Sequence, residues 1–452
     1  MNTHRAAPLV ALALALAFVP AAAADTVDTV KGVNGPGPAR YDKVRVLKQG
    51  PSSAKNVLVL SPGTSAGADM MALVGQDIID RLPGWQVWSV DRRENWLEDR
   101  SVFLQALAGQ VPPKKAFDYY LGWIGNDSVT EHIQPPSDAS VAFAKQWGMA
   151  VAVEDLRRVV AQARRGGRNV VLGGHSLGGT ITVAYATWDF KGKVGARDLA
   201  GIVLIDGGSS GTAKPKPSET QTALDDLKAK SPFLDIAGTG VPWTSGVFAE
   251  LGATLTLKDP TGPALLQQFP LLPAALKPPV PATNRGGYGF ALDSETSPAN
   301  LALVHMHMGH LADSGDPRDW VDGELVPIDR AARIFTGDKL GGASWYHPAR
   351  LSIDGRTVFG GQKNAAQKLA GVRAWHAKEL GVPIYAFETS LGDGRVVAGA
   401  RQLAKLARIP KRDVTLVDRS STTSHLDPLA AAPDRNDFLK TVVPFLRKLQ
   451  KK

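Results

Sequence analysis

Hydrophobic residues in this chain fall into short, nearly continuous runs separated by stretches with helical spacing. The runs are Asn56-Val-Leu-Val-Leu60, Trp85-Gln-Val-Trp-Ser-Val90, Val170 to Leu172, Ala200-Gly-Ile-Val-Leu-Ile-Asp206, Val382-Pro-Ile-Tyr-Ala-Phe-Glu388 and Val414-Thr-Leu-Val417. They are short and rich in β-branched side chains, the pattern of strands buried on both faces. Tyr41 to Lys48 instead alternates apolar and polar positions and reads as a half-buried edge strand. Between Ala150 and Arg164 the apolar positions Val151, Val153, Leu156, Val159 and Val160 follow a helical period, and Arg435 to Leu449 reads as a closing helix. Strands alternating with helices predict an α/β fold with a doubly wound, mostly parallel sheet.

The rhythm breaks at Gly207 and resumes only near Val382. The interval is punctuated by prolines, among them Pro215, Pro217, Pro260, Pro263, Pro270 and Pro273. It also holds short helical candidates such as Ser218 to Lys230, where Ser218 and Gln221 fit a capping box. A structureless loop of that length is implausible in a compact domain, so residues 209–380 are predicted to form a large inserted cap, or lid. The α/β core would then comprise residues 25–208 and 381–452. Ala264-Leu-Leu-Gln-Gln-Phe-Pro-Leu-Leu272 is apolar enough to roof a lipophilic pocket or to serve as the cap's own core.

Composition narrows the setting. His4 and Arg5 precede an apolar stretch from Ala7 to Pro20 that ends in Ala22-Ala-Ala24, which predicts a signal peptide over residues 1–24 cut before Asp25, and a secreted or periplasmic product. The apolar stretch is too short for a comfortable span, so no transmembrane anchor is expected. The absence of cysteine excludes disulfides and thiolate metal sites. The formal net charge is +9, yet residues 209–380 hold 17 basic and 17 acidic residues, so the surplus lies outside the cap. No arginine-rich run or aromatic-interleaved basic patch stands out, and nucleic acid is not an expected partner.

The chemistry centres on Gly174-His-Ser-Leu-Gly-Gly179. It follows the β-branched run Val170 to Leu172 and precedes the apolar segment Thr180 to Trp188. Strand, Gly-x-Ser-x-Gly, helix is the layout of a nucleophile elbow. The glycines are needed because side chains two residues either side of the serine would collide with neighbouring strand and helix. The following helix points its N-terminus at Ser176, where free N–H groups favour developing negative charge. A serine hydroxyl becomes nucleophilic only when a base takes its proton. Of nine histidines, His425 alone sits just beyond a C-terminal strand, in the short loop Ser424-His-Leu-Asp-Pro428. His175 adjoins the serine, but its side chain is expected to point elsewhere.

These elements, with the glycine loop Pro62-Gly-Thr-Ser-Ala-Gly67, resemble the α/β-hydrolase superfamily, particularly its secreted, lid-bearing esterase and lipase branch. The resemblance covers about Tyr41 to Gly208 and Leu380 to Lys452. It implies a Ser-His-acid triad of Ser176, His425 and an acid in the loop after the strand ending at Glu388. Asp393, in Leu391-Gly-Asp-Gly-Arg395, is the first choice, with Asp206 and Glu388 as alternatives. The implied oxyanion hole uses the backbone N–H of Leu177 and that of Thr64, with Ser65 as the alternative; Pro62 replaces the histidine usual in that loop.

His305-Met-His-Met-Gly-His310 could suggest a metal, but no regular element converges all three histidines, so no metal and no cofactor are expected. Trp345-Tyr-His-Pro348 reads as lid packing. The predicted activity is hydrolysis of a carboxylic ester with an apolar moiety, on a small-molecule or lipid-like substrate, through an acyl-serine intermediate. Rival readings are a serine peptidase or amidase, an envelope acyltransferase, or a catalytically silent binding protein on the same fold.

Overall fold

The structure, a computed structural model, describes residues 25–208, 214–236 and 238–451. The leader expected over residues 1–24 lies outside them. Eight strands form one mixed sheet: β1 (Thr26–Lys31), β2 (Lys43–Gln49), β3 (Asn56–Ser61), β4 (Trp85–Asp91), β5 (Asn169–His175), β6 (Gly201–Ile205), β7 (Ile384–Glu388) and β8 (Val414–Asp418). Their order across the sheet is β1-β2-β4-β3-β5-β6-β7-β8. The β1–β2 and β2–β4 pairs are antiparallel and every other pair is parallel. This is the doubly wound, mostly parallel sheet that the hydrophobic runs predict.

Burial on both faces explains why those runs are continuous rather than alternating. Val57, Val59, Leu172, Ile202, Leu204 and Ala386 turn to one face, under helices α2 (Met149–Ala163), α3 (Leu177–Ala186) and α7 (Arg395–Leu406). Leu58, Leu60, Val171, Val203, Ile205 and Phe387 turn to the other, under α1 (Ala72–Ile79) and α8 (Asp437–Leu449). Tyr41 to Lys48 does not form the edge. The strand β1, Thr26-Val-Asp-Thr-Val-Lys31, pairs outside β2 and buries only Val30, as a mostly polar edge strand can.

Between β6 and β7 the described residues 214–236 and 238–380 pack into the same apolar clusters as the sheet. Helix α5 (Ile328–Thr336) inserts Ile328, Ala331, Ala332, Ile334 and Phe335 into the cluster that holds Leu58, Leu60 and Val74. Helix α6 (Ala349–Gly355) packs on α2 and α3, with Leu351 in the core of the opposite face. A third cluster unites Phe103, Tyr120 and Trp147 with Val247 and Leu251 of α4 (Thr244–Lys258) and with Trp345. The Phe103 and Tyr120 rings stack at 3.9 Å, and Tyr120 meets Trp345 edge-on at 5.5 Å. A buried ion pair between Arg100 and Glu250, at 2.6 Å, crosses the same boundary. The reason is the hydrophobic effect: an amphipathic helix must bury its apolar stripe, and the flanks of the sheet offer the largest apolar surface. Among the described residues no helix is long and apolar enough to cross a membrane.

Candidate active site

The elbow forms where β5 hands over to α3. Ser176 takes φ 53° and ψ −123°, a region L side chains rarely adopt, and its N–H donates to the carbonyl of Ile205 at 2.9 Å. Tight glycines make the turn possible. A Cβ on Gly178 would lie 1.9 Å from the Ser61 carbonyl oxygen, and one on Gly174 would lie 2.2 Å from the Gly178 backbone. Gly207, where the strand-helix rhythm breaks, is as restricted: its Cβ would lie 1.8 Å from the Ser176 carbonyl oxygen. Of the six described non-glycine residues with positive φ, three (Ser65, Ser176 and Asp206) belong to this site, the clustering of backbone strain expected where function demands a fixed geometry.

His425 reaches the elbow from the loop after β8. Its Nδ1 lies 2.5 Å from Oδ2 of Asp206 at the end of β6. The other carboxylate oxygen of Asp206 accepts the N–H of Thr389 at 2.9 Å, and the Thr389 hydroxyl donates to Oδ2. Burial pushes the Asp206 carboxyl up, but the bond and charge of His425 and the bonds from Thr389 outweigh it and hold it below the usual carboxylate value. This corrects the first choice of acid. Asp393 is exposed, at φ 48°, in the turn before α7, and has no bond to His425. Glu388 caps α7 instead, its two oxygens accepting from Val396 N–H at 3.0 Å and Val397 N–H at 2.9 Å. The carboxylate on His425 is therefore Asp206.

His175 packs against the other histidine. Its ring centroid lies 4.3 Å from that of His425, and its Nε2 is 3.0 Å from the His425 carbonyl oxygen. Since a carbonyl can only accept, Nε2 carries the proton, and Nδ1 is buried without a partner. Burial first, and the neighbouring His425 second, push the pKa of His175 down to about 3, so it is neutral. It positions the loop that carries His425.

The glycine loop after β3 lies against the elbow: a Cβ on Gly63 would sit 3.0 Å from Cβ of Ser176. Buried Arg92 staples this loop, donating to the carbonyls of Pro62 at 2.8 Å, Gly63 at 3.0 Å and Ala66 at 3.3 Å while pairing with Glu94 at 2.6 Å. With those carbonyls turned to Arg92, the loop is held in one conformation. The Ser65 N–H is taken by Nδ1 of His347, at 3.2 Å. Nε2 of His347 lies 3.1 Å from the Ser352 hydroxyl. Burial and then the charge of Arg92 hold His347 well below its usual value, so it is a neutral acceptor. The N–H groups of Thr64 and Leu177 have no such partner among the described residues. Neither Arg92 nor His347 sits in a motif that marks it for this role; His347 lies in Trp345-Tyr-His-Pro348, which reads as packing.

The histidines of the 305–310 segment serve separate local bonds. Nε2 of His305 lies 3.1 Å from the Pro298 carbonyl, and His310 is exposed. Nδ1 of His307 lies 2.6 Å from Oδ2 of Asp427, which also accepts the Ser424 N–H at 2.7 Å and so ties the His425 loop to this segment. The bond to Asp427 raises the pKa of His307 against the effect of burial. Among the described residues no group of three or more side chains is placed to hold a metal ion.

Two cavities matter. One, of about 390 Å³, opens on Ser176 and is lined by Leu177, Asp206, Val358, Leu391 and Val396 together with two arginines, Arg356 and Arg395. The other, of about 300 Å³, lies within the inserted segment among Phe248, Leu255, Leu266, Leu272 and Leu301. The apolar run Ala264 to Leu272 thus lines a cavity, but not the one at the serine.

No protein-family model matches the chain, and no curated protein matches it in sequence. Solved structures do resemble it. A Sulfolobus solfataricus protein assigned provisionally as a lipase is 14% identical, with a TM-score of 0.48 and 94% of each chain covered. A soluble variant of monoglyceride lipase from Saccharomyces cerevisiae is 11% identical, with a TM-score of 0.41 over 91% of this chain and 92% of that one. The epoxide hydrolase VrEH1 from Vigna radiata is 15% identical, with a TM-score of 0.40 over 94% of this chain and 98% of that one.

Proposed function

We propose that this chain, whose sheet order and elbow are those of the α/β-hydrolase fold, is a serine hydrolase that cleaves carboxylic esters through an acyl-Ser176 intermediate. The observation that carries the reading is the strained Ser176 turn set beside a His425 whose Nδ1 is held by buried Asp206. In the proposed reaction Ser176 Oγ attacks the ester carbonyl carbon and its proton passes to Nε2 of His425. The C–O bond to the alcohol then breaks, and the same proton leaves with the alcohol. Water repeats the sequence on the acyl-serine, restoring the hydroxyl and releasing the acid. Asp206 keeps the proton of the resting imidazole on Nδ1, so Nε2 is free to accept. The unpartnered N–H groups of Thr64 and Leu177 are the proposed donors to the oxyanion, supported by the occupation of Ser65 N–H by His347.

A fluorophosphonate probe tests the reading. It should label Ser176, and Ser176→Ala should abolish labelling together with turnover of 4-nitrophenyl esters. Labelling at another residue, or full turnover by Ser176→Ala, refutes it. Peptide anilides run beside the esters separate the esterase from a peptidase or amidase. Export is proposed from the leader composition of residues 1–24, and N-terminal sequencing of the mature protein should begin at Asp25.

A further inference from the structure

We infer that the ester substrate carries a carboxylate, bound by Arg356 and Arg395 at the cavity that opens on Ser176. The inference rests on the serine-hydrolase reading and names the substrate class it would take.

The charges around that cavity do not balance. Its ionisable lining is Asp206, Arg356 and Arg395. Asp206 is committed inward, to His425 and Thr389, and is buried. Arg356 follows the last turn of α6, is exposed, and its guanidinium meets no protein acceptor among the described residues. Arg395 opens α7. Its Nε donates to the Gly392 carbonyl at 2.9 Å and Nη2 to the Leu391 carbonyl at 2.8 Å, which fixes the plane of the group and leaves Nη1 without a protein partner. Neighbouring carboxylates do not neutralise the pair. Asp354 is taken by Arg350 at 2.7 Å, Glu388 by the first turn of α7, and exposed Asp393 forms no ion pair with either arginine.

Elsewhere the fully buried arginines are matched, Arg92 with Glu94, Arg93 with Asp155 and Arg100 with Glu250, whereas Arg356 and Arg395 are both exposed. Two unmatched guanidiniums on one cavity with the nucleophile therefore form a local cationic site, and planar forks suit a carboxylate. The rest of the lining mixes apolar side chains (Leu177, Val358, Leu391, Val396) with Thr180 and Ser352, a surface that can take a short carbon chain joining the carboxylate to the ester.

Two matched ester pairs test this. Mono-4-nitrophenyl glutarate against 4-nitrophenyl pentanoate places the carboxylate on the acyl side. 4-Carboxyphenyl acetate against 4-carbamoylphenyl acetate places it on the alcohol side. At low ionic strength the carboxylate member of at least one pair should have the higher kcat/KM, by about 10- to 100-fold, and the ratio should shrink as salt screens the charges. Arg356→Gln should cut the ratio about tenfold, and Arg356→Glu should bring it to one or below. Among the described residues Arg356 has no protein partner to lose, so these variants should unfold with the parent's Tm. Arg395→Gln should act in the same direction. A ratio near one in both pairs, or a ratio that Arg356→Glu leaves unchanged, overturns the inference while Ser176-dependent cleavage of the neutral esters upholds the hydrolase reading. If the wild type turns over no ester of either pair, the ester reading fails and the inference falls with it.

Discussion

Replacing Asp206 by asparagine separates orientation from chemistry at this site, because the structure fixes which way the amide must sit. The Thr389 N–H donates to Oδ1 at 2.9 Å, so that position needs an acceptor. An asparagine must then place its carbonyl oxygen at Oδ1 and its NH2 at Oδ2, facing Nδ1 of His425. Two donors cannot face each other, so Nδ1 must give up its proton and the imidazole must carry it on Nε2. In that tautomer Nε2 cannot take the proton of Ser176. The expected loss in kcat is about four orders of magnitude, equivalent to about 5.5 kcal/mol of barrier. The variant should remain folded, since the amide keeps the shape and the Thr389 N–H bond. Turnover of a 4-nitrophenyl ester at pH 7, with thermal unfolding as the control, measures it. Asp393→Asn, on the exposed turn, should stay within about twofold of wild type. If Asp206→Asn keeps more than a tenth of the activity while Asp393→Asn abolishes it, the tautomer argument is wrong.

Gly207→Ala should abolish fluorophosphonate labelling and lower stability by about 1–3 kcal/mol, since its Cβ would overlap the Ser176 carbonyl and force the elbow to shift. His175→Phe keeps an aromatic ring against His425 but removes the donor to its carbonyl; kcat should fall about tenfold or more with KM little changed, a cost of about 1–3 kcal/mol. Burial raises the pKa of Asp354 to about 6 despite the opposing Arg350, so the folded state binds more protons than the unfolded chain between the ordinary value of 3.8 and about 6. The protonated form's stabilising contribution is present in full below 3.8 and is lost as pH rises through 6, so chemical unfolding at pH 4 and pH 7 should show wild type falling relative to Asp354→Asn. EDTA should leave ester turnover unchanged; a loss restored by one divalent ion would give His305 and His307 a metal role.

The fold and the elbow were legible because local pattern determines both. Runs buried on two faces read as inner strands, and the Gly-x-Ser-x-Gly turn is a steric necessity written in consecutive residues. The identity of the carboxylate on His425 was not, because no local signal decides among Asp206, Glu388 and Asp393. The decision lies in how Thr389 and Gly392 fold over the end of β6. A Cβ on Gly392 would sit 2.6 Å from both Asp206 Oδ1 and Glu388 Oε1. Arg92 and His347 were hidden for the same reason: each acts on the glycine loop from a distant part of the chain. The apolar positions Ile328, Ala331, Ala332, Ile334 and Phe335 dock on the sheet, a placement that no local pattern in the proline-punctuated interval announces.

The long excursion between β6 and β7 also imposes a timetable on the nascent chain. Strand β6 ends at Ile205, and the partner that covers its free edge begins at Ile384. At roughly 5–20 residues per second, the roughly 180 residues between them take about 10–35 s to make. Throughout that interval the hydrogen-bonding edge of an apolar strand is open. The helix α8 that covers one face of the sheet is made last. The N-terminal half therefore cannot complete its sheet as it emerges, and an open apolar edge invites pairing with other chains. Slow translation should be more hazardous for this protein than for a relative whose strands follow one another closely, and a holdase that shields β6 until β7 arrives should raise its yield.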